Sequence, residues 1–252
     1  MWIDDAHTVA QLTHGSQHCY LLVCPGTREA LVIDPGVPDF LEQVRALDVK
    51  VSAVLNTHSH YDHTGGNQAF IDAFGAALLG FSGGDQLLEE GSEVRWGGQR
   101  GRVMHTPGHT PDSICLRADP FLFAGDTLFI ASCGNAFGEA GMHAMYESLK
   151  RLDAMPAETI FCCGHDYVVS GLEYVLRIEP DNAAAKHKLA AVERAHQEGR
   201  AVVSTLAEER AYNPFWRLET EEMARFLGRA GGLVPTDRWQ RFKLLRDLKN
   251  RR

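Results

Sequence analysis

Short apolar runs separated by turn residues fill the first part of the chain. The first two runs, at 19–24 and 29–34, flank Pro25-Gly26, which predicts two buried strands joined by a turn. Strands and helices then alternate, as in a layered α/β core. The further predicted elements are a helix near 38–47, a strand at 51–55, a helix at 67–75, and strands at 76–81, before Asp126 and before His165.

The region from 95 to 116 is punctuated by glycines. It predicts two strands that meet at the turn His105–Thr110. Pro107-Gly108 breaks any helix in this turn, so His105 and His109 do not share a helical face. His109, just past the turn, is therefore a candidate metal ligand.

Further along the chain the pattern changes from strands to helices. Residues 170–199 and 218–250 are rich in Ala, Leu, Glu, Lys and Arg, with apolar positions at helical spacing. The sequence therefore predicts a boundary near residue 170. We expect a catalytic domain over 1–170 and a smaller all-helical domain over 171–252.

Composition and charge narrow the class of protein. A chain of 252 residues with 44% hydrophobic content can bury one large core with an appendage. The N-terminal stretch has no basic or apolar signal segment, and no apolar run reaches about 18 residues, so we expect a cytoplasmic protein that does not enter membranes. A net charge of −8 argues against binding to nucleic acid or to anionic membrane surfaces.

The cysteines and the basic C-terminal segment each allow two interpretations. The six cysteines form no Cys-x-x-Cys pair, and several lie in apolar segments, which is typical of a reducing compartment. Cys163 is close to His165, but a packed strand residue is favoured over a soft metal ligand. From Arg238 to Arg251-Arg252 the only acid is Asp247, so this segment is either a solvated helix face or a receptor for an anionic ligand.

Three histidines and an aspartate are packed into one short loop after the strand at 51–55. The loop, Thr57–Gly66, contains His58, His60, Asp62 and His63. Neutral imidazole and ionised carboxylate suit zinc, iron or manganese, and a solvated turn needs no such density of them. Alternate side chains of a loop can point in different directions, so one motif can supply ligands to two neighbouring ions.

Three further polar groups follow apolar strands. His109, Asp126 and His165 each lie where a predicted strand ends, and open α/β sheets gather their sites at such ends. With the loop they make five imidazoles and two carboxylates. Since a structural zinc needs only four ligands, seven imply two ions.

The run HSHYDH followed by TGG resembles the signature of the metallo-β-lactamase-fold hydrolases. The resemblance implies an αββα sandwich with two divalent ions, zinc with iron or manganese as alternatives, about 3.5–4 Å apart. It assigns His58, His60 and His109 to the first ion, Asp62, His63 and His165 to the second, and Asp126 to a bridge. The resemblance makes Asp62 and Asp126 the candidate catalytic residues, and it implies that Asp62 also orients the nucleophile. Asp34 receives a structural role.

Motifs in the C-terminal half resemble the glyoxalase II (hydroxyacylglutathione hydrolase) family. They are Gly164–Tyr167, Glu179–Ala183, Ser204–Glu209, Tyr212–Arg217 and Leu245–Lys249. The resemblance implies a small-molecule glutathione thioester as partner: S-D-lactoylglutathione would be hydrolysed to D-lactate and glutathione, the second step of methylglyoxal detoxification. It also implies glutathione contacts from Tyr167, Arg246 and Lys249. The last two are three residues apart on one helix face, and arginine can bind a carboxylate bidentately.

The loop after Asp126 departs from the family pattern. Asn135 stands where the family has a cation, and Phe137 stands where a tyrosine hydroxyl can occur. Both are candidate substrate contacts, and backbone N–H groups of the loop can still reach the ligand. We expect the departure to alter affinity or selectivity rather than the reaction.

Three other functions stay open. A persulfide dioxygenase of the same superfamily uses one iron held by two histidines and an aspartate, so the metal count separates it from a hydrolase. A related thioesterase would accept a broader range of acyl groups. A non-catalytic relative is disfavoured by the intact ligand set. For the assembly we expect a monomer or a weak homodimer.

Overall fold

The computed structural model describes residues 1–4, 6, 8–232 and 234–250. The chain forms two compact units, each built from more than one stretch of sequence. The first comprises Met1–His105, Asp112–Gly125 and Cys162–Asp166. The second comprises Thr106–Pro111, Asp126–Phe161 and Tyr167–Arg252. Arg251 and Arg252, which end the predicted basic segment, lie outside the described residues.

The first unit contains a six-stranded sheet whose strands keep chain order. They are β1 (Val9–His14), β2 (Gln17–Val23), β3 (Glu29–Ile33), β4 (Lys50–Leu55), β5 (Ala77–Gly80) and β6 (Gln86–Leu87). The first three pair antiparallel, whereas β3 to β6 pair parallel. Parallel neighbours need crossover connections. These contain α1 (Phe40–Arg45), α2 (Tyr61–Thr64) and α3 (Asn67–Phe74).

Continuous apolar runs explain why β2, β3 and β4 lie at the centre of this sheet. In β3 every residue after Glu29 is buried, as expected for a strand covered on both faces. On one face Phe40 and Phe70 of the helices are fully buried in the core. On the other, the ring of Tyr20 lies 5.3 Å from that of Phe123. The core of the first unit therefore occupies both sides of the sheet.

A second sheet of the first unit is an antiparallel meander. Its strands are β7 (Glu93–Trp96), β8 (Gln99–His105), β9 (Ile114–Ala118) and β10 (Phe121–Gly125), paired in that order. In β7 buried Val94 and Trp96 alternate with exposed Glu93 and Arg95. This period of two is typical of a strand with one solvated face.

Short strands of the second unit connect to a set of helices. The strands are β11 (Leu128–Phe129), β12 (Ser132–Cys133), β13 (Ile160–Cys163) and β14 (Ser204–Thr205). β11 and β12 form a hairpin. β13 is divided between the units: Cys162 and Cys163 extend the second sheet beyond β10, whereas Ile160 and Phe161 pair with β14.

The helices of the second unit are α4 (Gly138–Asp153), α5 (Val168–Ile178), α6 (Ala183–Gln197), α7 (Leu206–Tyr212), α8 (Glu221–Gly231) and α9 (Arg238–Asn250). Side-chain caps explain where three of them begin. Asn182 caps α6, Thr220 caps α8, and Thr205 forms a capping box with Glu208 at α7. Such caps satisfy backbone N–H groups that lack partners inside the helix.

The predicted elements are confirmed, with ends displaced by a few residues. The region 95–116 forms β8 and β9 around the predicted turn, and helices occupy most of 170–199 and 218–250. Two elements were not predicted: β1, where polar Gln11 is buried and bonded to His18, and α4, which includes the helix-weakening Gly141.

All six cysteines are buried and unbridged. Cys163 is a packed strand residue whose Sγ donates to the backbone oxygen of His165. Within the described ranges, none of the helices is both long enough and apolar enough to cross a bilayer.

Candidate metal centre

Asp34 shapes the histidine-rich loop of the first unit. It follows β3, is buried, and has a φ of 53°, in the left-handed region that non-glycine residues rarely use. Its carboxylate accepts hydrogen bonds from Thr57 N at 2.7 Å and from Thr57 Oγ1 at 2.5 Å. It also accepts one from His63 Nδ1 at 2.9 Å. These contacts fit the predicted structural role of Asp34.

The same carboxylate decides which nitrogen of His63 is available. A carboxylate at Nδ1 favours the tautomer protonated there and leaves the Nε2 lone pair for a ligand. His63 Nε2 lies 3.2 Å from His165 Nε2, and an oxygen of Asp62 lies 3.3 Å from that His165 nitrogen. The ligand atoms of Asp62, His63 and His165 all lie within 4.8 Å of one another. Two ring nitrogens and a carboxylate at this spacing fit a divalent metal ion.

Close backbone approach holds this loop in place. A Cβ on Gly36 would lie 1.8 Å from the Asp62 carbonyl oxygen, to which Gln17 Nε2 donates at 2.6 Å. A Cβ on Gly66 would lie 2.4 Å from the Pro35 oxygen, to which Gly66 N donates. Glycine is therefore required on both sides of the contact.

His58 and His60 form a second pair in the loop. His58 Nε2 lies 3.1 Å from His60 Nδ1, and Thr57 Oγ1 lies 3.1 Å from His58 Nδ1. Asp34, His58 and His63 also have ligand atoms within 4.8 Å of one another. Because Thr57 and His63 already engage both oxygens of Asp34, we assign that carboxylate to orientation rather than to metal binding.

His165 is positioned by the end of β13. Gly164 N donates to Gly125 O at 2.8 Å, and Gly164 O accepts from His18 N at 2.8 Å. The backbone before His165 is thereby tied to β10 and to β2. The ring itself is 4% exposed, so it is held in one position within the first unit.

In the second unit His109 faces Asp126. His109 Nε2 lies 3.5 Å from Asp126 Oδ2, and the two side chains are 10% and 9% exposed. His109 Nδ1 donates to the Asn135 backbone oxygen at 2.9 Å, which leaves Nε2 as the potential ligand atom. A Cβ on Gly134 would lie 1.9 Å from Asp126 O, so glycine is needed for this approach.

Buried side chains of α7 and the segment after it hold the loop Phe129–Asn135. Glu209, fully buried, accepts from Ala131 N at 2.8 Å. Asn213 Nδ2 donates to Ser132 O at 3.0 Å and to Glu209 Oε2 at 2.8 Å. Burial raises the pKa of Glu209 to about 7, and its hydrogen bonds oppose the shift. Both residues lie in motifs that resemble the family, but their role in holding this loop depends on contacts between distant segments, which no local sequence pattern predicts.

Arg246 approaches the same loop from α9. Its guanidinium donates to Cys133 O and Gly134 O, both at 3.1 Å, and to Asn135 Oδ1 at 3.2 Å. The side chain is 1% exposed, and its guanidinium carbon lies 5.2 Å from the centre of the Phe215 ring. Arg246 therefore fixes the backbone that carries Asn135.

Lys249 lies one turn further along α9. Its Nζ donates to Ser132 Oγ and lies 5.3 Å from the centre of the Tyr174 ring. Desolvation lowers the pKa of Lys249 to about 8, and the nearby Arg246 charge acts in the same direction. The ammonium group therefore keeps its charge below pH 8 and loses its proton as the pH rises through 8.

The two aromatic residues among the predicted substrate contacts are exposed. Tyr167 is 45% exposed, and its ring lies 5.4 Å from that of Phe129. Phe137 is 70% exposed, directly before α4. Asn135 is exposed as well. The second unit thus brings Arg246 and Lys249 to the loop that ends at Asn135. Tyr167 lies against Phe129, the first residue of this loop, and Phe137 follows the loop in the chain.

Comparisons with known proteins cover nearly the whole chain. The family model described as the hydroxyacylglutathione hydrolase C-terminus matches 166–252, and that of the metallo-beta-lactamase superfamily matches 12–85 and 80–165. A hydroxyacylglutathione hydrolase from Rhodospirillum rubrum is 36% identical, covering 96% of this chain and 98% of its own. One from Polaromonas sp. is 38% identical, covering 92% and 93%.

Solved structures and family models agree on the architecture. The crystal structure of ETHE1 from Myxococcus xanthus is 29% identical with a TM-score of 0.66, covering 90% of this chain and 92% of its own. The predicted metallo-β-lactamase fold followed by a helical region is confirmed. That fold, with its clustered His and Asp side chains, indicates a divalent-metal site.

Proposed function

Because the chain belongs to the hydroxyacylglutathione hydrolase (glyoxalase II) family of metal-dependent hydrolases, we propose that it hydrolyses S-D-lactoylglutathione to D-lactate and glutathione. The observation that carries the proposal is the donor set of Asp62, His63 and His165, whose two histidines are buried, in a chain with the family's C-terminal helices. The reaction would be the second step of methylglyoxal detoxification, in the cytoplasm.

We propose two divalent ions, zinc with iron or manganese as alternatives. His58, His60 and His109 would hold one, Asp62, His63 and His165 the other, and Asp126 would bridge them. Such ions lower the pKa of bound water to about 7 and polarise a carbonyl oxygen. The Asp34 carboxylate and the Asn135 carbonyl support the assignment, because each accepts from a histidine Nδ1 and leaves Nε2 for a ligand.

Asp62 is the residue proposed to orient the attacking oxygen. Its side chain is 49% exposed, and one of its oxygens lies near His165. The carboxylate can therefore accept a hydrogen bond from water while that oxygen stays near His165. The departing thiol has a pKa close to that of free cysteine, about 8.5. It can therefore leave as a thiolate without a strong general acid.

The glutathione part of the substrate is proposed to lie along the loop Phe129–Asn135. The proposed direct contacts are the exposed side chains of Tyr167, Asn135 and Phe137, together with Lys249, whose ammonium group lies at Ser132. Arg246 was predicted as a further contact. Its burial favours a contribution through the Cys133 and Gly134 carbonyls that it holds. Asn135 is neutral and stands where the family has a cation. Because its side chain accepts a hydrogen bond from Arg246, we propose that it helps to hold the loop in position.

Two organisational predictions accompany this proposal. Residues 1–170 would carry out the reaction, and residues 171–252 would bind glutathione. The chain would act as a monomer or a weak homodimer. Gel filtration with light scattering over a range of protein concentrations tests the oligomeric state.

A thioester assay with metal analysis tests the function. Purified protein should release free thiol from S-D-lactoylglutathione and contain two ions per chain, and removal of metal with a chelator should abolish the release until metal is restored. One iron per chain with oxygen consumption on glutathione persulfide would favour the dioxygenase. Equal cleavage of thioesters that lack glutathione would favour a broader thioesterase.

A further inference from the structure

A cavity of about 620 Å³ lies in the second unit, lined by parts of α5, α6 and α8. Its described lining residues come from 177–229 and include none of the proposed metal ligands or substrate contacts. Sites for small molecules measure about 300–1,000 Å³. The cavity is therefore large enough to hold a ligand other than the thioester.

Charged side chains dominate this lining. Its arginines and acids are Arg177, Arg217, Arg225, Arg229, Glu179, Asp181 and Glu222. Glu179 pairs with Arg217 at 2.9 Å, and Glu222 pairs with Arg225 at 2.7 Å. Asp181 pairs with Lys186, outside the lining, at 3.6 Å. Each acid of the lining is therefore already paired with a cation.

Arg177 and Arg229 are the two arginines of the lining that have no such pair. Within the described ranges, neither forms a side-chain hydrogen bond or an ion pair. A guanidinium stays charged in proteins, and acids outnumber bases in this chain by 33 to 25. Two positive charges at one cavity thus stay uncompensated although acidic side chains are in excess. They favour a ligand with at least two negative charges.

Glu179 fixes the polar part of the lining. It is 5% exposed and accepts from Arg217 Nε at 2.9 and 3.0 Å, from Thr220 Oγ1 at 3.2 Å and from Asn182 Nδ2 at 2.7 Å. The Arg217 bonds use only Nε. The terminal nitrogens of Arg217 therefore remain as donors in a fixed orientation.

The start of α6 adds backbone donors. Ala183, the first residue of this 15-residue helix, lines the cavity. The first N–H groups of a helix have no acceptor within it, and the helix dipole makes this end partly positive. Asn182 accepts only the Ala185 N–H, so those of Ala183 and Ala184 remain for a ligand. Phosphate oxygens suit both guanidinium groups and such N–H groups.

Apolar side chains make up the rest of the lining that matters here. They are Ile178, Pro180 and Phe226. The Phe226 ring meets that of buried Tyr174 edge-on, with centres 6.0 Å apart and planes at 84°. An aromatic ring held in this way can stack on the ring of a nucleobase. Inorganic phosphate would leave this surface and most of the volume unused.

We propose that this cavity is a second ligand site, which binds a nucleotide with at least two phosphate groups. The phosphates contact Arg177, Arg229 and the start of α6, and the base packs against Phe226. The inference does not depend on the proposed thioester hydrolysis, which is assigned to other residues.

Calorimetric titration of the protein with ADP tests the phosphate contacts. Wild type should bind ADP at least about tenfold more tightly than AMP, which has one phosphate fewer. The double variant Arg177→Gln, Arg229→Gln should bind ADP at least about tenfold more weakly than wild type, because two charge-assisted contacts are lost. Arg194→Gln, at an exposed position of α6 outside the lining, is the matched control and should bind ADP as wild type does.

Phe226→Leu tests the contact with the base. Leucine keeps an apolar side chain but removes the aromatic face, so the affinity for ADP should fall at least about fivefold. The affinity for pyrophosphate, which has no base, should stay at the wild-type value. Urea unfolding shows that each variant is folded before it is titrated.

Three results would overturn the proposal. The first is no binding of ADP to wild type up to about 1 mM. The second is equal binding of ADP to wild type and to the arginine double variant, as expected if ADP binds only the proposed metal ions. The third is pyrophosphate binding as tightly as ADP, or an unchanged ADP affinity in Phe226→Leu, because either would exclude a nucleotide as the ligand class.

Discussion

Two buried carboxylates, one in each unit, hold a functional loop over very different sequence distances. Asp34 accepts from Thr57 and His63, 23 and 29 residues further on. Glu209 accepts from Ala131, 78 residues before it. Each region contains a non-glycine residue with positive φ, Asp34 at 53° and Ala131 at 61°. That conformation costs roughly 1–2 kcal/mol and persists where surrounding contacts stabilise it.

The difference between the two loops lies in what they present. The loop held by Asp34 presents imidazoles and a carboxylate, whose identity is visible in the sequence. The loop Phe129–Asn135 presents backbone groups and small side chains and receives its charge from Arg246 and Lys249 in α9. The proposed metal ligands therefore lie close together in the sequence in the first region, whereas the proposed substrate contacts in the second are assembled from distant segments.

The largest effect should come from removing a proposed ligand in the first region. His165→Ala leaves Asp62 and His63 as an incomplete donor set, so kcat/KM should fall by more than about 100-fold with loss of bound metal. Metal analysis and the thiol-release assay measure both. His187→Ala, at an exposed position of α6, is the control. Retention of full activity and metal by His165→Ala would remove this residue from the site.

Asp34→Asn tests whether the carboxylate orients His63. The amide keeps an acceptor for Thr57 but weakens the charge-assisted bond from His63 Nδ1, so metal affinity should fall about 10- to 100-fold. Competition with a chromogenic chelator measures the affinity. A folded variant with unchanged affinity would show that the Asp34–His63 bond does not support metal binding.

Glu209→Ala is the corresponding test in the second unit. It leaves the buried Ala131 N without its acceptor, so the free energy of unfolding should fall by about 1–3 kcal/mol. KM for the glutathione substrate should rise because the loop loses its support. Urea unfolding and steady-state kinetics measure the two effects, and Glu209→Gln, which retains an acceptor, should lie between the variant and wild type. Unchanged stability in Glu209→Ala would contradict the assigned role.

The smallest effect is a pH dependence at Lys249. Because its folded pKa is lowered to about 8 from an ordinary 10.5, the charge is present below pH 8 and is lost as pH rises through 8. KM for a glutathione thioester should therefore increase several-fold, up to about tenfold, above pH 8. The unfolded chain binds more protons between pH 8 and 10.5, so this group makes the folded protein more stable as pH rises there.

Lys249→Arg keeps its charge throughout this range and should flatten the rise in KM. The comparison uses initial rates at constant ionic strength from pH 7 to 9.5. An equal rise in KM for wild type and Lys249→Arg would assign the pH dependence to another group.

Much of the fold was predictable where local patterns agree with tertiary packing. Most residues of β2, β3 and β4 are apolar and buried, as expected for strands covered on both faces, and the C-terminal helices have strong helix formers. β1 was missed because it contains the buried polar residue Gln11, whose amide nitrogen bonds to His18, a partner visible only once the strands pair. In α4, packing overrides the low helix propensity of Gly141.

The sequence by itself determined the chemical types at the candidate site, since metal binding restricts ligands to few residue types, and His58, Asp62 and His165 are proposed ligands of those types. Tertiary structure decided which atoms those ligands present: the Asp34 carboxylate directs His63 Nε2, and the Asn135 carbonyl directs His109 Nε2. It also decided that Arg246 is buried against loop carbonyls. Residue identity is local information, whereas tautomer, burial and hydrogen-bond partner depend on segments far apart in the chain.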